Sequence, residues 1–140
     1  MVELKPLEDP GEVLSLSDRY GRRELERLLE RDFVKIFVLK AGGRAAGFAV
    51  VWTVEREAEL HWFEVFKPFR GRGLGKTFFG KLLELLRREG LESLLLEVSE
   101  KNEPARRVYE SFKPLLAGRR RKYYPDGSDA LIYLFRLSSS

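Results

Sequence analysis

The stretch Arg70-Gly71-Arg72-Gly73-Leu74-Gly75-Lys76 marks where the hydrophobic period of the chain changes, and any fold must accommodate that change. Before it, apolar residues alternate or run continuously, as they do in strands. After it, Leu74, Phe78, Leu82, Leu85 and Leu86 recur at helical spacing. The chain must leave a strand, turn within a few residues and enter an amphipathic helix. Three glycines permit a tight turn and a close approach of the backbone to a ligand. The first N–H groups of a helix lack partners within it, and the helix dipole favours negative charge there. Arg72 and Lys76 add full positive charge. Together these parts make a cradle for a pyrophosphate. The competing reading is a glycine-rich turn that only caps a helix. The preceding strand, the following helix and the two cations favour the cradle. Two familiar phosphate loops do not fit. Gly75-Lys76-Thr77 ends like a Walker loop but lacks a first glycine at the required offset. Glycines at 71, 73 and 75 also miss the Gly-x-Gly-x-x-Gly dinucleotide spacing.

The rest of the chain reads as follows. Val2 to Lys5 is a short strand, Pro10 to Leu16 a helical turn or two, and Gly21 to Arg31 a helix with Leu25, Leu28 and Leu29 on one side. Phe33 to Lys40, Ala45 to Val54 and Ala58 to Phe66 form a three-strand meander with turns at Ala41-Gly42-Gly43 and Glu55-Arg56. After the helix that starts at Leu74, Gly90 fits the stop position and Glu92 to Val98 is a strand. Asn102 caps the next helix, and Pro104 is tolerated in its first turn. Ala105, Val108, Tyr109 and Phe112 form that helix's apolar stripe. Leu115 to Tyr124 and Ala130 to Leu137 read as a closing hairpin around Pro125-Asp126-Gly127, with Ser138 to Ser140 as a frayed tail. The fold class is α+β (mixed α/β), with about seven strands and helices on both faces of the sheet. A length of 140 residues with no linker or repeat gives a single domain spanning 1–140.

Composition removes several classes of function. There is no cysteine, which excludes disulfides and thiolate nucleophiles, and a single histidine, His61, leaves no histidine cluster for a catalytic metal. No apolar run is long enough to span a bilayer and no signal core is present, so the default location is cytoplasmic. A net charge of +4 suits an anionic small ligand and does not by itself point to nucleic acid. The densest basic run, Arg119 to Lys122, reads as a solvated strand edge.

Alternation in Ser93-Leu94-Leu95-Leu96-Glu97-Val98 places Glu97 with Ser93 and Leu95 on one face. A carboxylate late in an apolar strand is either a general base at the mouth of a sheet or an end-of-strand residue reaching solvent, and pattern alone leaves both open. Tyr109 lies on an apolar helix stripe, which favours a core tyrosine. A phenol is also a suitable acid for a thiolate leaving group. His61 sits among aromatics and reads as a structural partner. Glu64, six positions before the loop, is an alternative base.

These residues resemble a known family. Phe63 to Leu86 is similar to motif A of the GNAT acetyltransferases, Arg/Gln-x-x-Gly-x-Gly/Ala, with Arg70, Gly73 and Gly75 matching. Leu96-Glu97-Val98, Asn102, Ala105 and Tyr109 resemble the next motif. Arg121 to Leu131, with Tyr123-Tyr124-Pro125-Asp126-Gly127-Ser128-Asp129-Ala130, is similar to the bacterial ribosomal-protein alanine N-acetyltransferases. The resemblance implies a mostly antiparallel mixed sheet and acetyl-CoA as donor, with no metal. It implies transfer within a ternary complex to a primary amine, expected to be the N-terminal α-amine of a protein such as ribosomal protein S18. It implies that backbone groups of Phe63, Glu64 and Val65 meet the pantetheine arm, and that Arg70, Gly71, Arg72, Gly73, Leu74, Gly75 and Lys76 hold the pyrophosphate. Asn102 would contact the cofactor, Glu97 would take the amine's proton and Tyr109 would protonate the departing thiolate. Other expectations are a monomer or weak dimer, no membrane partner and no direct nucleic-acid contact.

The chain also departs from the family pattern. Lys113-Pro114 stands where Gly-Phe is usual, Pro68 falls one place late, and the Ser15 to Arg22 region is shortened and lacks a Phe-Pro-x-x-Trp-Ser segment. That region shapes the acceptor side, so a small amine or a lysine remains an alternative acceptor, as does a non-catalytic acetyl-CoA-binding module.

Overall fold

A computed structural model describes residues 1–137. The frayed tail expected at 138–140 lies outside the described residues. The strands are β1 (Val2–Pro6), β2 (Val34–Ala41), β3 (Arg44–Val54), β4 (Glu57–Val65), β5 (Ser93–Ser99), β6 (Leu115–Arg120) and β7 (Ala130–Arg136). The helices are α1 (Gly11–Leu14), α2 (Arg22–Leu29), α3 (Leu74–Arg88) and α4 (Glu103–Glu110), with a 3-10 turn at Lys67–Phe69. No described helix is long and apolar enough to cross a membrane.

The strands form one sheet in the order β1-β2-β3-β4-β5-β7-β6. Every neighbouring pair is antiparallel except β4 and β5. That parallel pair holds only from Glu57 opposite Ser93 to Glu59 opposite Leu95. Beyond it the two strands part. The cause is local to β4: the register against β3 slips between Val50–Trp62 and Val51–Leu60, which leaves His61 as an extra residue. Such a bulge bends its strand and increases the twist. His61 is held there by stacking on Trp52 at 4.4 Å, which agrees with its structural reading.

Helices cover both faces. Phe63 packs on Phe78 and Phe79 of α3, whereas its neighbour Trp62 lies under Arg19 from the α1–α2 connection. Successive strand residues point to opposite faces, so α3 and the α1–α2 segment lie on opposite sides. Register extends the assignment across the sheet. Trp52 opposes Glu59, Glu59 opposes Leu95, and Glu97 follows two residues later, so all four share the face of the α1–α2 segment.

The sequence reading of α3 holds for Phe78, Leu82 and Leu86, whereas Leu74 and Leu85 are only half-buried, and Phe79, beside the stripe, takes the centre of the core. Its ring meets Phe63, Tyr109, Phe112 and Phe135. Because α4 and β7 pack beside α3, the buried arc is wider than a single stripe. β6 also ends sooner than expected, at Arg120 rather than Tyr124. Lys122 takes a left-handed conformation (φ 49°), and its N–H turns back to donate to Asp129 Oδ1 at 2.9 Å. Residues 121–129 are therefore a loop, tied down by Ser128, whose hydroxyl meets Asp126 at 2.6 Å and Ser99 at 2.8 Å. The departure at Lys113 has a physical consequence. It sits just after α4 with φ 56°, a position glycine fills without strain.

Candidate functional site

Where β4 and β5 part, a groove of about 720 Å³ opens through the sheet, lined by Phe63, Glu97, Asn102, Tyr109, Arg120 and Tyr124 among others. Glu97 enters it from the α1–α2 face and Tyr109 from α4. The parting of the strands is what lets residues from opposite faces reach one space.

The Glu97 side chain is 34% exposed, and its Oε2 forms an ion pair with Arg120, 2.9 Å from Nε. No described residue pairs with Oε1, and Glu97 lines the groove. Sequence reasoning left Glu97 between a base and a solvent-reaching residue. It is solvent-open and also lines the groove. Arg120 was missed, because β6 brings it to Glu97 only through the pairing of β5 and β6 with β7. The basic run is accordingly not a plain solvated edge. Arg119 bonds Asp129 at 2.8 Å and Glu100 at 3.3 Å.

Tyr109 is 7% exposed yet borders the groove. Burial, with the Tyr124 hydroxyl as a lesser influence, pushes its phenol well above the ordinary value. It therefore stays protonated near neutrality and can serve as a proton donor. Burial also raises Tyr124, with Glu97 adding to the effect.

Glu64 is placed differently. Its Oε1 accepts from Ser17 Oγ at 2.8 Å and Trp62 Nε1 at 2.9 Å, and its side chain is only 16% exposed. It does not line the groove and serves to fasten the α1–α2 connection to β4, which disfavours it as a base. Arg70 is committed too. Its Nε donates to the Val65 carbonyl at 2.9 Å, and its NH2 lies 3.9 Å from Glu64. That carbonyl is thus occupied, and Arg70 pins the loop to the end of β4. Asn102 caps α4 as expected, its Oδ1 accepting from the Ala105 N–H at 3.3 Å. Its amide NH2 remains available at the groove.

The loop Gly71–Lys76 is shaped by its glycines. Gly71 and Gly73 have φ of 80° and 73°, and a Cβ at either would meet nothing within 4 Å. Among the described residues, no main-chain or side-chain acceptor takes the N–H of any residue from Gly71 to Lys76. The nearest such bonds are those of Arg70 to Lys67 and Thr77 to Gly73. Six consecutive N–H donors at a helix start are thus left without an intramolecular partner, an arrangement suited to an anion. Arg72 stays beside it with its guanidinium 5.6 Å from the Phe69 ring, and Lys76 is exposed. At Gly75 an added Cβ would lie 3.5 Å from Val108 of α4, an ordinary van der Waals contact.

Comparison with known proteins agrees with this geometry. The acetyltransferase (GNAT) family model matches residues 2–113. An Escherichia coli protein named ribosomal protein bS18-alanine N-acetyltransferase is 36% identical over 105 residues, covering 73% of this chain and 71% of its own. A Bacillus subtilis protein bearing the same name in provisional form is 35% identical over 106 residues, covering 75% of this chain and 70% of its own. The crystal structure of the Escherichia coli ribosomal-protein-S18-alanine N-acetyltransferase superposes with a TM-score of 0.87 at 29% identity, covering 100% of this chain and 96% of that one.

Proposed function

Because the chain belongs to the GNAT acetyltransferase family, and so is an acetyl-CoA-dependent N-acetyltransferase, we propose that its acceptor is the N-terminal α-amine of a protein, with ribosomal protein bS18 as the first candidate. The observation that carries this reading is one groove reached by Glu97 from one face and Tyr109 from the other, with the open loop Gly71–Lys76 following β4, one of the strands that line it. The names of the relatives supply the candidate acceptor.

Acetyl-CoA is the donor substrate. The loop amides of Gly71–Lys76, with Arg72 and Lys76, hold its diphosphate, and Arg70 keeps the loop in place. β4 from Phe63 to Val65 faces the gap left by β5, and its free main-chain groups pair with the pantetheine arm. An N–H there stabilises charge on the thioester oxygen. Asn102 offers its amide to the same ligand. Glu97 accepts the proton lost by the ammonium, directly or through a water, using the Oε1 that Arg120 leaves free. The amine nitrogen forms the new C–N bond as the C–S bond breaks, and Tyr109 gives its phenolic proton to the departing sulfur. An α-amine with a pKa of about 8 is partly neutral near pH 7, so the base has a modest task and alignment supplies much of the rate. A single domain over 1–140 accommodates all of these parts.

The test is acetylation of a peptide carrying the mature bS18 N-terminus of the same organism. The parallel arms are an α-blocked peptide with one lysine and a panel of small amines, with thiol release and mass spectrometry as readouts. Acetylation at the α-nitrogen is expected. Turnover confined to lysine or small amines would replace this reading with the alternative acceptor. CoA binding without turnover of any amine would point to a binding module.

A further inference from the structure

On the face of the α1–α2 segment, the transfer groove is walled by Arg19, from the connection at residues 15–21, and by Trp62 of β4. Glu97 opens on the same face, so an amine that gives its proton to Glu97 approaches past this wall. The connection has few anchors of its own. Within it only Ser17 and Tyr20 are half-buried, and the rest is exposed. The N–H groups of Leu16 and Ser17 donate back to Val13 of α1, and that of Gly21 donates to Glu24 of α2. Tyr20 packs edge-on against Phe48 at 6.2 Å. Among the described residues, one hydrogen bond joins the connection to the sheet: Ser17 Oγ donates to Glu64 Oε1 at 2.8 Å.

That bond belongs to a closed circuit. The Ser17 hydroxyl that donates to Glu64 also accepts the Arg19 N–H, at 3.3 Å. The same Oε1 of Glu64 accepts the Trp62 Nε1–H at 2.9 Å. The circuit closes where the Arg19 guanidinium lies over the Trp62 ring, 5.0 Å from its centre, with the Tyr20 ring on hand at 4.4 Å. Arg19 and Trp62 line the groove, whereas Ser17 and Glu64 do not. One carboxylate oxygen therefore fixes two groove-lining side chains that come from different elements. The Glu64 side chain is only 16% exposed, which limits competition from water for these bonds. Its other oxygen lies 3.9 Å from Arg70 NH2, beyond hydrogen-bond reach, so Oε1 carries the tether.

We propose that Glu64 is a positioning residue for the acceptor: by holding Ser17 and Trp62, it sets where Arg19 and Trp62 stand along the path of the amine. The assignment rests on the reading of Glu97 as the base, because that reading puts the acceptor on this face. It is independent of the charge and sequence of the acceptor. Hydrogen bonds to a carboxylate are charge-assisted and stronger than neutral ones. Here they hold in place a segment that would otherwise have to be ordered each time an acceptor binds, and that ordering would weaken binding. The device therefore acts on acceptor affinity. The donor loop at the start of α3 is anchored separately, through Arg70 and the Val65 carbonyl.

The experiment measures initial rates with the bS18 N-terminal peptide at saturating acetyl-CoA, together with the CoA Kd and Tm, in the parent, Ser17→Ala, Glu64→Leu and Glu64→Gln. Ser17→Ala should raise the acceptor KM about tenfold, keep kcat within about threefold and hold the CoA Kd within about twofold. Glu64→Leu should raise the acceptor KM at least as far. The double variant Ser17→Ala/Glu64→Leu should go no further than Glu64→Leu, because both changes remove one shared interaction. Glu64→Gln keeps an accepting oxygen and should recover most of the acceptor affinity that Glu64→Leu loses. Gly42→Ala, in the β2–β3 turn, is a destabilised control whose acceptor KM should not move. An acceptor KM unchanged in both Ser17→Ala and Glu64→Leu would overturn the assignment. So would a rise equalled by Gly42→Ala, or a CoA Kd in Ser17→Ala weakened as much as its acceptor KM. If the parent acetylates only small amines, the α-amine reading falls, and the same comparison on the amine that turns over still decides the tether. A Glu97→Gln protein that keeps its kcat would remove the base reading, while a KM rise confined to the tether variants would still place the acceptor against this wall.

Discussion

Replacing Gly73 by alanine separates the backbone need for glycine from the ligand's need for it. Gly73 has φ 73° and ψ 11° at the N-cap of α3, and an added Cβ has nothing within 4 Å to strike. The folded protein therefore meets only the left-handed strain, about 1 kcal/mol, which lowers Tm by about 4 °C in a chain of this size. Gly42 supplies the control. It has φ 59° and equally open space, but sits in the β2–β3 turn away from the groove. Gly42→Ala should lose the same amount of stability. The two variants should diverge once CoA is added. With CoA at a hundred times the parent's Kd, the parent and Gly42→Ala gain about 2.7 kcal/mol of stability. In Gly73→Ala the methyl group occupies the open side of the amide cradle and displaces the diphosphate from one or two charge-assisted hydrogen bonds. At about 1.5–3 kcal/mol each, that weakens binding on the order of a hundredfold. The ligand then adds only about 0.4 kcal/mol. Thermal unfolding with and without CoA, backed by calorimetric titration, reads both quantities. A Gly73→Ala protein that binds CoA like the parent would refute the placement of the diphosphate at this loop.

Other expectations follow from single contacts. Glu97→Gln and Tyr109→Phe should each lower kcat by about a hundredfold or more while CoA affinity stays within about twofold, as removing a proton acceptor or donor does. Unchanged turnover in both would dismiss their roles. Burial raises the folded-state pKa of Tyr109, so the native state holds that proton more tightly than the unfolded chain does. The stability gained is complete below the unfolded phenol value of about 10 and declines as pH rises beyond it. Tm should therefore fall less steeply above pH ~10 in Tyr109→Phe than in the parent, and equal slopes would contradict this. Lys113→Gly should raise Tm by a few degrees by relieving a left-handed lysine after α4, and a lower Tm would show that the lysine side chain stabilises more than its strain costs. Gly47→Ala should cost on the order of 3 kcal/mol or prevent folding, since its Cβ would lie 2.3 Å from the Glu64 carbonyl oxygen on the adjacent strand. A stable Gly47→Ala protein with unchanged Tm would show that β3 and β4 can separate there.

What the sequence determined by itself was local. The change of period at Arg70, the glycine turn and the Asn102 cap each depend on a few adjacent residues, and all stand where the pattern put them. The order of strands and helices followed for the same reason. The groove required contacts across the chain. It exists because β4 and β5, whose paired residues lie 36 positions apart in the chain, pair for only three positions and then part at the His61 bulge. Only that parting brings Glu97 and Tyr109 to one space, and only the placement of β6 beside β7 brings Arg120 to Glu97. Hydrophobic period records which side of its own element a residue takes. It carries no information about register between distant strands, and so Glu64 could be a candidate base in the sequence and a structural carboxylate, tied to Ser17 and Trp62 away from the groove, in the fold.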